Sequence, residues 1–268
     1  MNQYKLGLVL SGGGVKGAGH IGLIKALEEH EIEPDLVSGC SAGSIVGLLY
    51  ASGLKSDEIL YFFKNNPIFN PRFLAVRKPG LLDITKFRSH FEKTLKQKTF
   101  EELQKKLFVA STNMEYGNVQ YHHSGNIIPA VLASCAFPGI LSPIEIDGLY
   151  HMDGGIIDNF PIKPLMSYDV PIIGSFACYT GPKGKQDLSN SAKIFLRSTQ
   201  LLLYTSVKGN FKHAAHMFMP KQLSNIGFFD MKKAQKAFDL GYDNAMKNIE
   251  ELKYKLSEEN INSNVNFS

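Results

Sequence analysis

The segment LVSGCSAGSIVGLLYA, residues 36–51, joins two apolar runs through a glycine-flanked serine. Leu36–Ser38 has the length and composition of a short buried strand, and Ser44–Ala51 has those of a helix. The residues between them, 39–43, have the pattern Gly-x-Ser-x-Gly. Between a strand and a helix, this pattern is the sequence form of a nucleophile elbow, a strained turn that presents a serine hydroxyl at the end of a sheet.

Ser41 is therefore the candidate nucleophile of this segment. Its predicted place at a helix N-terminus favours a developing negative charge, because the helix dipole is positive there. The alternative is a glycine-rich turn with an incidental serine, and the strand before it and the helix after it make that alternative weaker. Cys40 is a rival nucleophile, but its position in an elbow points into the sheet, so we expect it to belong to the core.

A second glycine-rich segment, residues 11–17 (SGGGVKG), lies between a predicted strand at Lys5–Leu10 and a predicted helix at Ala18–His30. It matches Gly-x-Gly-x-x-Gly, so a nucleotide-binding loop using Gly12 to Gly17 is one interpretation. A dinucleotide site needs an acidic residue at the end of the second strand, where this chain has the serine turn instead. We favour an oxyanion hole, in which backbone amides of the glycine run face the acyl oxygen.

The rest of the chain continues the alternation of strands and helices, which predicts an α/β fold with a mainly parallel central sheet covered on both faces. We predict one domain over residues 1–256 and a polar, disordered tail over 257–268. The further predicted elements are strands at Leu107–Ser111, Val119–His122 and Val170–Ala177, and helices at Asp57–Asn65, Ile84–Leu95, Ile127–Ala136 and from Met231 onward.

Composition excludes several classes of protein. The 268 residues are 44% hydrophobic and 20% charged, as in globular domains. The three cysteines, Cys40, Cys135 and Cys178, are an odd number without a CxxC pair, so we expect reduced thiols and not a disulfide framework. With no signal peptide and no 18-residue apolar run, we expect a cytoplasmic protein. The net charge of +4 is mild, and without a basic stripe interleaved with aromatics we expect no nucleic-acid partner.

A third motif, Asp153-Gly154-Gly155, completes a set in one order along the chain. A glycine run, Gly-x-Ser-x-Gly on the second strand, and then Asp-Gly-Gly together resemble the patatin-like phospholipase family. Residues 133–139 (ASCAFPG) and the segments around Phe228 and Gly241 are also similar to that family. The resemblance covers roughly residues 4 to 250, and no catalytic position departs from the family pattern.

The resemblance implies a three-layer α/β/α fold and a serine-aspartate dyad. It implies Ser41 as the nucleophile, Asp153 as its base, and Gly12, Gly13 and Gly14 as the oxyanion loop. The implied reaction is hydrolysis of a phospholipid, a lysophospholipid or another fatty-acyl ester. Acyl transfer or thioester hydrolysis with the same dyad remains the enzymatic alternative.

None of the eight histidines lies in a motif of its own. His151 stands two residues before Asp153 and would share its face of a strand, yet such a histidine is more often structural. His213-x-x-His216 has metal-ligand spacing but lacks an acidic partner pattern. We therefore expect neither a metal nor a cofactor.

Two apolar segments suggest contact with lipid. Residues 59–78 combine aromatics with cations, and residues 194–219 are rich in apolar side chains. A core helix with a loop is the favoured interpretation, and a lid or interfacial surface with peripheral membrane contact is the alternative. The absence of tryptophan weakens the second interpretation.

Overall fold

A single mixed sheet forms the centre of the protein. The computed structural model describes residues 5–68, 71–76 and 78–265, without the side chains of residues 71 and 259–265. Within that part, eight strands form the sheet. The strands are β1 (Gly7–Leu10), β2 (Leu36–Cys40), β3 (Lys106–Asn113), β4 (Asn118–His122), β5 (Ile144–Ile146), β6 (Leu149–Asp153), β7 (Ile172–Ser175) and β8 (His216–Phe218).

The middle of the sheet is parallel, with β1 between β2 and β7, β3 beyond β2, and β8 beyond β7. β1 and β2 are fully buried apolar runs, as expected for parallel strands covered on both faces. The remaining pairs are antiparallel and lie at the β3 side of the sheet. The predicted mainly parallel sheet is thus confirmed.

The register on β3 brings two strand ends together. β2 pairs with the first half of β3 and ends with Cys40 opposite Ala110. β6 runs antiparallel to the second half and ends with Asp153 opposite Ser111. β4 pairs with residues 109–113 of β3, a range that overlaps the partners of both β2 and β6, so β2 and β6 must share the other edge. The C-terminal ends of β2 and β6 therefore meet beside two consecutive residues of β3.

Helices cover both faces of this sheet. Gly47 lies against side chains from β2 and β3 on one face. On the other face, Gly7 of β1 lies against the side chain of Leu165, which belongs to a short helix. The helices are α1 (Ala18–Glu29), α2 (Ala42–Ala51), α3 (Ser56–Asn65), α4 (Arg88–Thr94), α5 (Ile127–Ser134), α6 (Lys163–Met166), α7 (Ser191–Val207) and α8 (Ala234–Val265). This arrangement confirms the three-layer α/β/α architecture.

Several elements differ from the predicted ones. The segment predicted as one helix at Ile84–Leu95 begins as a 3₁₀ turn, Ile84–Phe87, and becomes α-helical at Arg88. β5 and β8, of three residues each, and β6 were not among the strands predicted from the sequence. α8 continues through residues 257–265, part of the predicted tail. Residues 266–268 lie outside the described part, so the domain limit at 256 stays a prediction.

Candidate active site

Ser41 lies at the junction of β2 and α2 in a backbone conformation that residues with a side chain rarely adopt. Its φ is 51° and its ψ is −124°. Two contacts hold the turn: the Ser41 amide donates to Ser134 Oγ at 2.8 Å, and the Ser44 amide donates to the Ser41 carbonyl at 2.8 Å. Strain of this kind persists only where surrounding structure fixes it, and it is typical of functional turns.

The two glycines of the turn are required by close packing. A Cβ on Gly43 would run into the backbone carbonyls of Leu10 and Ser11 at the end of β1. A Cβ on Gly39 would lie 2.5 Å from the Gly43 carbonyl oxygen. The start of α2 thus approaches β1 more closely than any residue with a side chain would allow, which explains the Gly-x-Ser-x-Gly spacing.

Asp153, at the end of β6, is buried beside Ser41. Its Oδ1 accepts the Gly155 amide at 2.8 Å and the Cys40 thiol at 3.6 Å. Burial raises the pKa of the carboxyl to about 6, while hydrogen bonds from Gly155, the Ser41 side chain and Cys40 act in the opposite direction. Desolvation thus outweighs the hydrogen bonds and makes Asp153 a stronger base than an ordinary aspartate.

Hydrogen bonds at Ser11 fix the start of the glycine loop that follows β1. Ser11 Oγ accepts the Ala177 amide at 2.9 Å, and the Ser11 carbonyl lies 2.8 Å from His20 Nε2. His20 Nδ1 lies 2.8 Å from Ser175 Oγ. Because a carbonyl only accepts, Nε2 must carry the proton, and burial lowers the pKa of His20 to about 4, which keeps the ring neutral.

The loop amides themselves are free to bind a ligand. Among the described residues, the amides of Gly12, Gly13 and Gly14 donate to no protein acceptor. Gly12 packs so tightly against Ser41 and the side-chain oxygen of Asn159 that a Cβ would not fit. The structure therefore places the three predicted loop glycines next to the predicted nucleophile.

Two pockets meet at Ser41. Both have mainly apolar walls, and the wall of the second includes Asp153. Phe137 and Phe228 belong to both walls and separate the two spaces. The first pocket is lined by residues that include Ile45, Phe62, Phe63 and Phe87, and the second by Gly12, Gly13, Asn159, Phe195, Thr199 and Leu203.

The histidines considered from the sequence lie elsewhere. His151 Nδ1 and His122 Nε2 both contact Ser111 Oγ, at 2.9 and 2.7 Å. His216 is buried 3.7 Å from Glu251, and His213 is exposed. In the part of the chain that the structure describes, no group of three or more His, Cys, Asp or Glu side chains is arranged to hold a metal ion.

Some residues of the site were not singled out from the sequence. Ser134, which fixes the Ser41 amide, had no signal beyond its place in the segment 133–139. Cys40 was expected to be a core residue and is buried, but its thiol contact with Asp153 was not predicted. Asn159 lies six residues after Asp153, and its buried amide nitrogen lacks a hydrogen-bond partner in the described residues. A buried polar residue this close to a motif is the signal that would have drawn attention to it.

Comparisons with known proteins agree with this geometry. The family model described as patatin-like phospholipase matches residues 8–166, more than half of the chain. Lysophospholipase NTE1 of Cryptococcus neoformans is 34% identical over an alignment of 171 positions, which covers 60% of this chain and 10% of that protein. Lysophospholipase nte1 of Aspergillus fumigatus is 27% identical over an alignment of 282 positions, which covers 92% of this chain and 18% of that protein.

The chain thus spans less than a fifth of the length of these two relatives. Among solved structures, VipD from Legionella pneumophila has a similar fold, with a TM-score of 0.52 and 17% identity over 96% of this chain and 67% of that one. Among the described residues, no helix has both the length and the apolar character needed to cross a membrane. The match over residues 8–166 shows that the chain belongs to the patatin-like phospholipase family.

Proposed function

We propose that the protein is a lipid acyl hydrolase of the phospholipase A or lysophospholipase type, with Ser41 as nucleophile and Asp153 as base. The observation that carries the proposal is the buried Asp153 carboxyl, which lines the same pocket as Ser41 and whose pKa burial raises to about 6. A base with such a pKa is still mostly ionised at neutral pH and accepts a proton more readily than a solvated aspartate.

Acylation begins when the Ser41 hydroxyl attacks the ester carbonyl carbon and gives its proton to Asp153. The carbonyl oxygen becomes an oxyanion, and the amides of Gly12, Gly13 and Gly14 are the donors proposed to stabilise it. The ester C–O bond then breaks, and the leaving alcohol or lysolipid takes the proton from Asp153. An acyl-Ser41 intermediate and an ionised Asp153 result.

Deacylation repeats these steps with water. Asp153 accepts a proton as the water attacks the acyl carbon, and the oxyanion returns to the same amides. When the bond to Ser41 Oγ breaks, Asp153 returns the proton to the serine, and the fatty acid leaves. One carboxyl therefore serves as base and acid in both half-reactions.

The pockets support a fatty-acyl substrate. The wall of the first pocket includes five phenylalanines, Phe62, Phe63, Phe87, Phe137 and Phe228, and such a wall suits an alkyl chain. The second pocket, on the Asp153 side, is then available to the leaving group. The relatives named lysophospholipase support a lysophospholipid or phospholipid as the source of that chain.

A fluorophosphonate probe with a lipid panel tests this proposal. We expect the probe to label Ser41 in the wild type, with the modified peptide identified by mass spectrometry, and to label neither Ser41→Ala nor denatured protein. Mass spectrometry of a panel of phospholipids, lysophospholipids and acyl thioesters then identifies the substrate. Absence of labelling and of fatty-acid release from every lipid would refute the hydrolase.

The same experiment separates the alternatives. An acyltransferase or thioesterase would be labelled at Ser41 but would prefer an acceptor alcohol or a thioester over water and an oxygen ester. A nucleotide-binding module using Gly12 to Gly17 would not be labelled. That alternative also leaves the strained Ser41 and the buried Asp153 without a role.

A further inference from the structure

One face of α7 carries large apolar side chains that no other part of the described protein covers. Ile194 and Phe195 are 51% and 60% exposed, and Leu201 and Leu202, seven residues further on, are 42% and 72% exposed. A spacing of seven residues returns to the same side of a helix, so the four side chains form one stripe. Leu203 and Val207, on the opposite side, are buried. We call this stripe the α7 face.

The segment that contains the α7 face carries charge of one sign. Between Asp187 and Asp230 the chain contains no acidic residue. It contains five basic residues there, which are Lys193, Arg197, Lys208, Lys212 and Lys221. Since the whole chain has a net charge of +4, all residues outside this segment sum to −1. The basic character of the protein is therefore concentrated in the segment that contains α7.

These cations are also not neutralised locally. Lys193 donates to the Gln186 carbonyl and to Ser189 Oγ, and Arg197 donates to the Gly181 carbonyl. Among the described residues, no carboxylate forms an ion pair with Lys193, Arg197, Lys208 or Lys212. The exposed Lys193, Lys208 and Lys212 of the segment that contains the α7 face are thus available to external anions, whereas Arg197 is half-buried.

A second exposed apolar segment lies apart from the catalytic pockets. Leu74, Val76 and Leu81 are also exposed, in the segment for which the sequence suggested a lid. Of the neighbouring lysines, Lys78 pairs with Asp83 at 2.8 Å, and Lys86 donates to the Leu74 carbonyl. None of these three apolar residues lines either pocket at Ser41, so this segment is less suited than α7 to present lipid to the site.

The α7 face is continuous with the catalytic pocket. Phe195 belongs to the stripe and also lines the second pocket, together with Thr199 and Leu203 from the adjoining sides of the helix. Ile156, which is 43% exposed, lines the same pocket. A lipid that touches the α7 face therefore lies at the entrance to the space that contains Ser41 and Asp153.

We propose that the α7 face is the surface by which the protein docks on an anionic lipid bilayer, with its apolar stripe in the headgroup boundary and its cations on the acidic headgroups. Apolar helix faces flanked by basic residues bind membranes in this way. The inference deepens the proposed lipid hydrolase, because docking here would present bilayer lipids to the second pocket. Its test measures binding alone and is independent of catalysis.

The first experiment is co-sedimentation with phosphatidylcholine vesicles with and without phosphatidylserine. We expect binding to the phosphatidylserine vesicles, and the double variant Ile194→Gln/Leu202→Gln to lower the partition coefficient by about tenfold. Neither residue lines either of the two pockets at Ser41. The matched control is Leu74→Gln/Val76→Gln, which removes two equally exposed apolar side chains and should bind like the wild type. Ser41→Ala should also bind like the wild type, so a failure of the proposed chemistry would leave this result unchanged.

A second pair of variants tests the charges. Lys208→Gln/Lys212→Gln should weaken binding to phosphatidylserine vesicles by about tenfold or more, because each lysine near an anionic surface contributes about 1 kcal/mol. Lys232→Gln/Lys236→Gln also removes two positive charges, one from an exposed residue just before α8 and one from an exposed residue on α8. This control pair should have little effect on vesicle binding. Equal losses in both pairs would mean that only net charge matters and would overturn the assignment to α7.

A fluorescent label locates the contact directly. The three native cysteines are buried, so Ser198→Cys, exposed within the stripe, provides a single reactive thiol for an environment-sensitive dye. We expect the emission maximum of the dye to shift to shorter wavelength with phosphatidylserine vesicles, and to stay unchanged when the dye is attached to Lys236→Cys. Wild-type protein that binds no vesicle, or a stripe that proves to be covered by a second copy of the chain in sedimentation velocity, would overturn the proposal.

Discussion

The thiol of Cys40 contacts the carboxylate of Asp153, with 3.6 Å between Sγ and Oδ1. The residue before the nucleophile is thus in direct contact with the proposed base. The contact follows from the sheet register, in which Cys40 and Asp153 lie opposite consecutive residues of β3. It makes Cys40 a positioning residue, since the thiol favours the ionised form of the carboxyl and lowers its pKa.

Substitution of Cys40 should therefore move the pH profile. Cys40→Ala removes the hydrogen bond, so the pKa of Asp153 and the acidic limb of kcat/KM should rise from about 6. Cys40→Ser supplies a stronger hydrogen-bond donor, so the acidic limb of kcat/KM should move to lower pH. The measurement is kcat/KM against pH on a soluble short-chain ester. Two shifts in the same direction would contradict this role of Cys40.

Asp153→Asn should abolish hydrolysis and yet stabilise the fold at neutral pH. The carboxyl pKa of about 6 in the folded protein lies above its ordinary value of 3.8, so the folded state binds the proton more tightly. Stability therefore falls as pH rises through this interval, and the ionised carboxylate costs at most roughly 3 kcal/mol at higher pH. The asparagine removes that cost.

Urea unfolding at two pH values measures the effect. The gain of Asp153→Asn should be present above about pH 7 and vanish below about pH 4, where the wild-type carboxyl is neutral in both states. Ser41→Ala is the matched control, since it is equally inactive but keeps the buried carboxylate. An equal gain in both variants would show that strain at Ser41, and not the charge of Asp153, is the source.

Gly12→Ala should cost about 10²-fold in kcat with little loss of folding, because displacement of a catalytic group by about 1 Å has that effect. A methyl group there would meet the Asn159 side-chain oxygen and approach the Ser41 Cβ to 3.1 Å. Gly209→Ala makes the same chemical change where no atom lies within 4 Å of the new Cβ. Both variants are compared by steady-state kinetics and circular dichroism, and equal kcat values would contradict the tight glycine loop.

Ser134→Ala should weaken catalysis through the elbow. It leaves the Ser41 amide without its acceptor, and an unpaired buried amide costs about 1–3 kcal/mol. We expect kcat to fall by about tenfold or more while KM changes little. Ser52→Ala is the control, because its buried hydroxyl donates only to the Leu48 carbonyl on α2. A fall confined to KM would mean that Ser134 acts on substrate binding instead.

The local features of the site were predictable from sequence because short motifs fix short-range geometry. The elbow around Ser41 and the loop around Gly13 each lie within a few residues, where a missing side chain dictates the turn. Asp153 became a candidate only through the resemblance to a family, since Asp-Gly-Gly alone is a common turn. The structure brings these three predicted parts together.

The long-range relationships were not predictable in the same way. The contacts Cys40–Asp153 and Ser41–Ser134 join residues 113 and 93 positions apart, and they depend on the order and register of strands. The apolar spacing of Ile194, Phe195, Leu201 and Leu202 is visible in the sequence. Whether such a stripe is buried or exposed depends on which other elements pack there, and a single sequence does not contain that information.

The sharpest test of the proposed chemistry compares the base with the histidines. A triad needs an imidazole on the serine hydroxyl, but His151 contacts Ser111 and His216 lies near Glu251. We therefore expect Asp153→Asn to lose nearly as much activity as Ser41→Ala, of the order of 10²–10⁴-fold or more, because general base catalysis contributes that much. Single Gln substitutions of His151, His213 and His216 should each cost less than about tenfold.

All variants are measured on one soluble ester, so that differences in membrane binding do not affect the measured activity. Circular dichroism first establishes that each variant is folded, which matters most for His151, because its ring is buried. A histidine variant as inactive as Ser41→Ala, with the fold intact and Asp153→Asn still active, would mean that an imidazole takes the proton. The raised pKa of Asp153 would then reflect burial alone, and the serine-aspartate dyad would have to be abandoned.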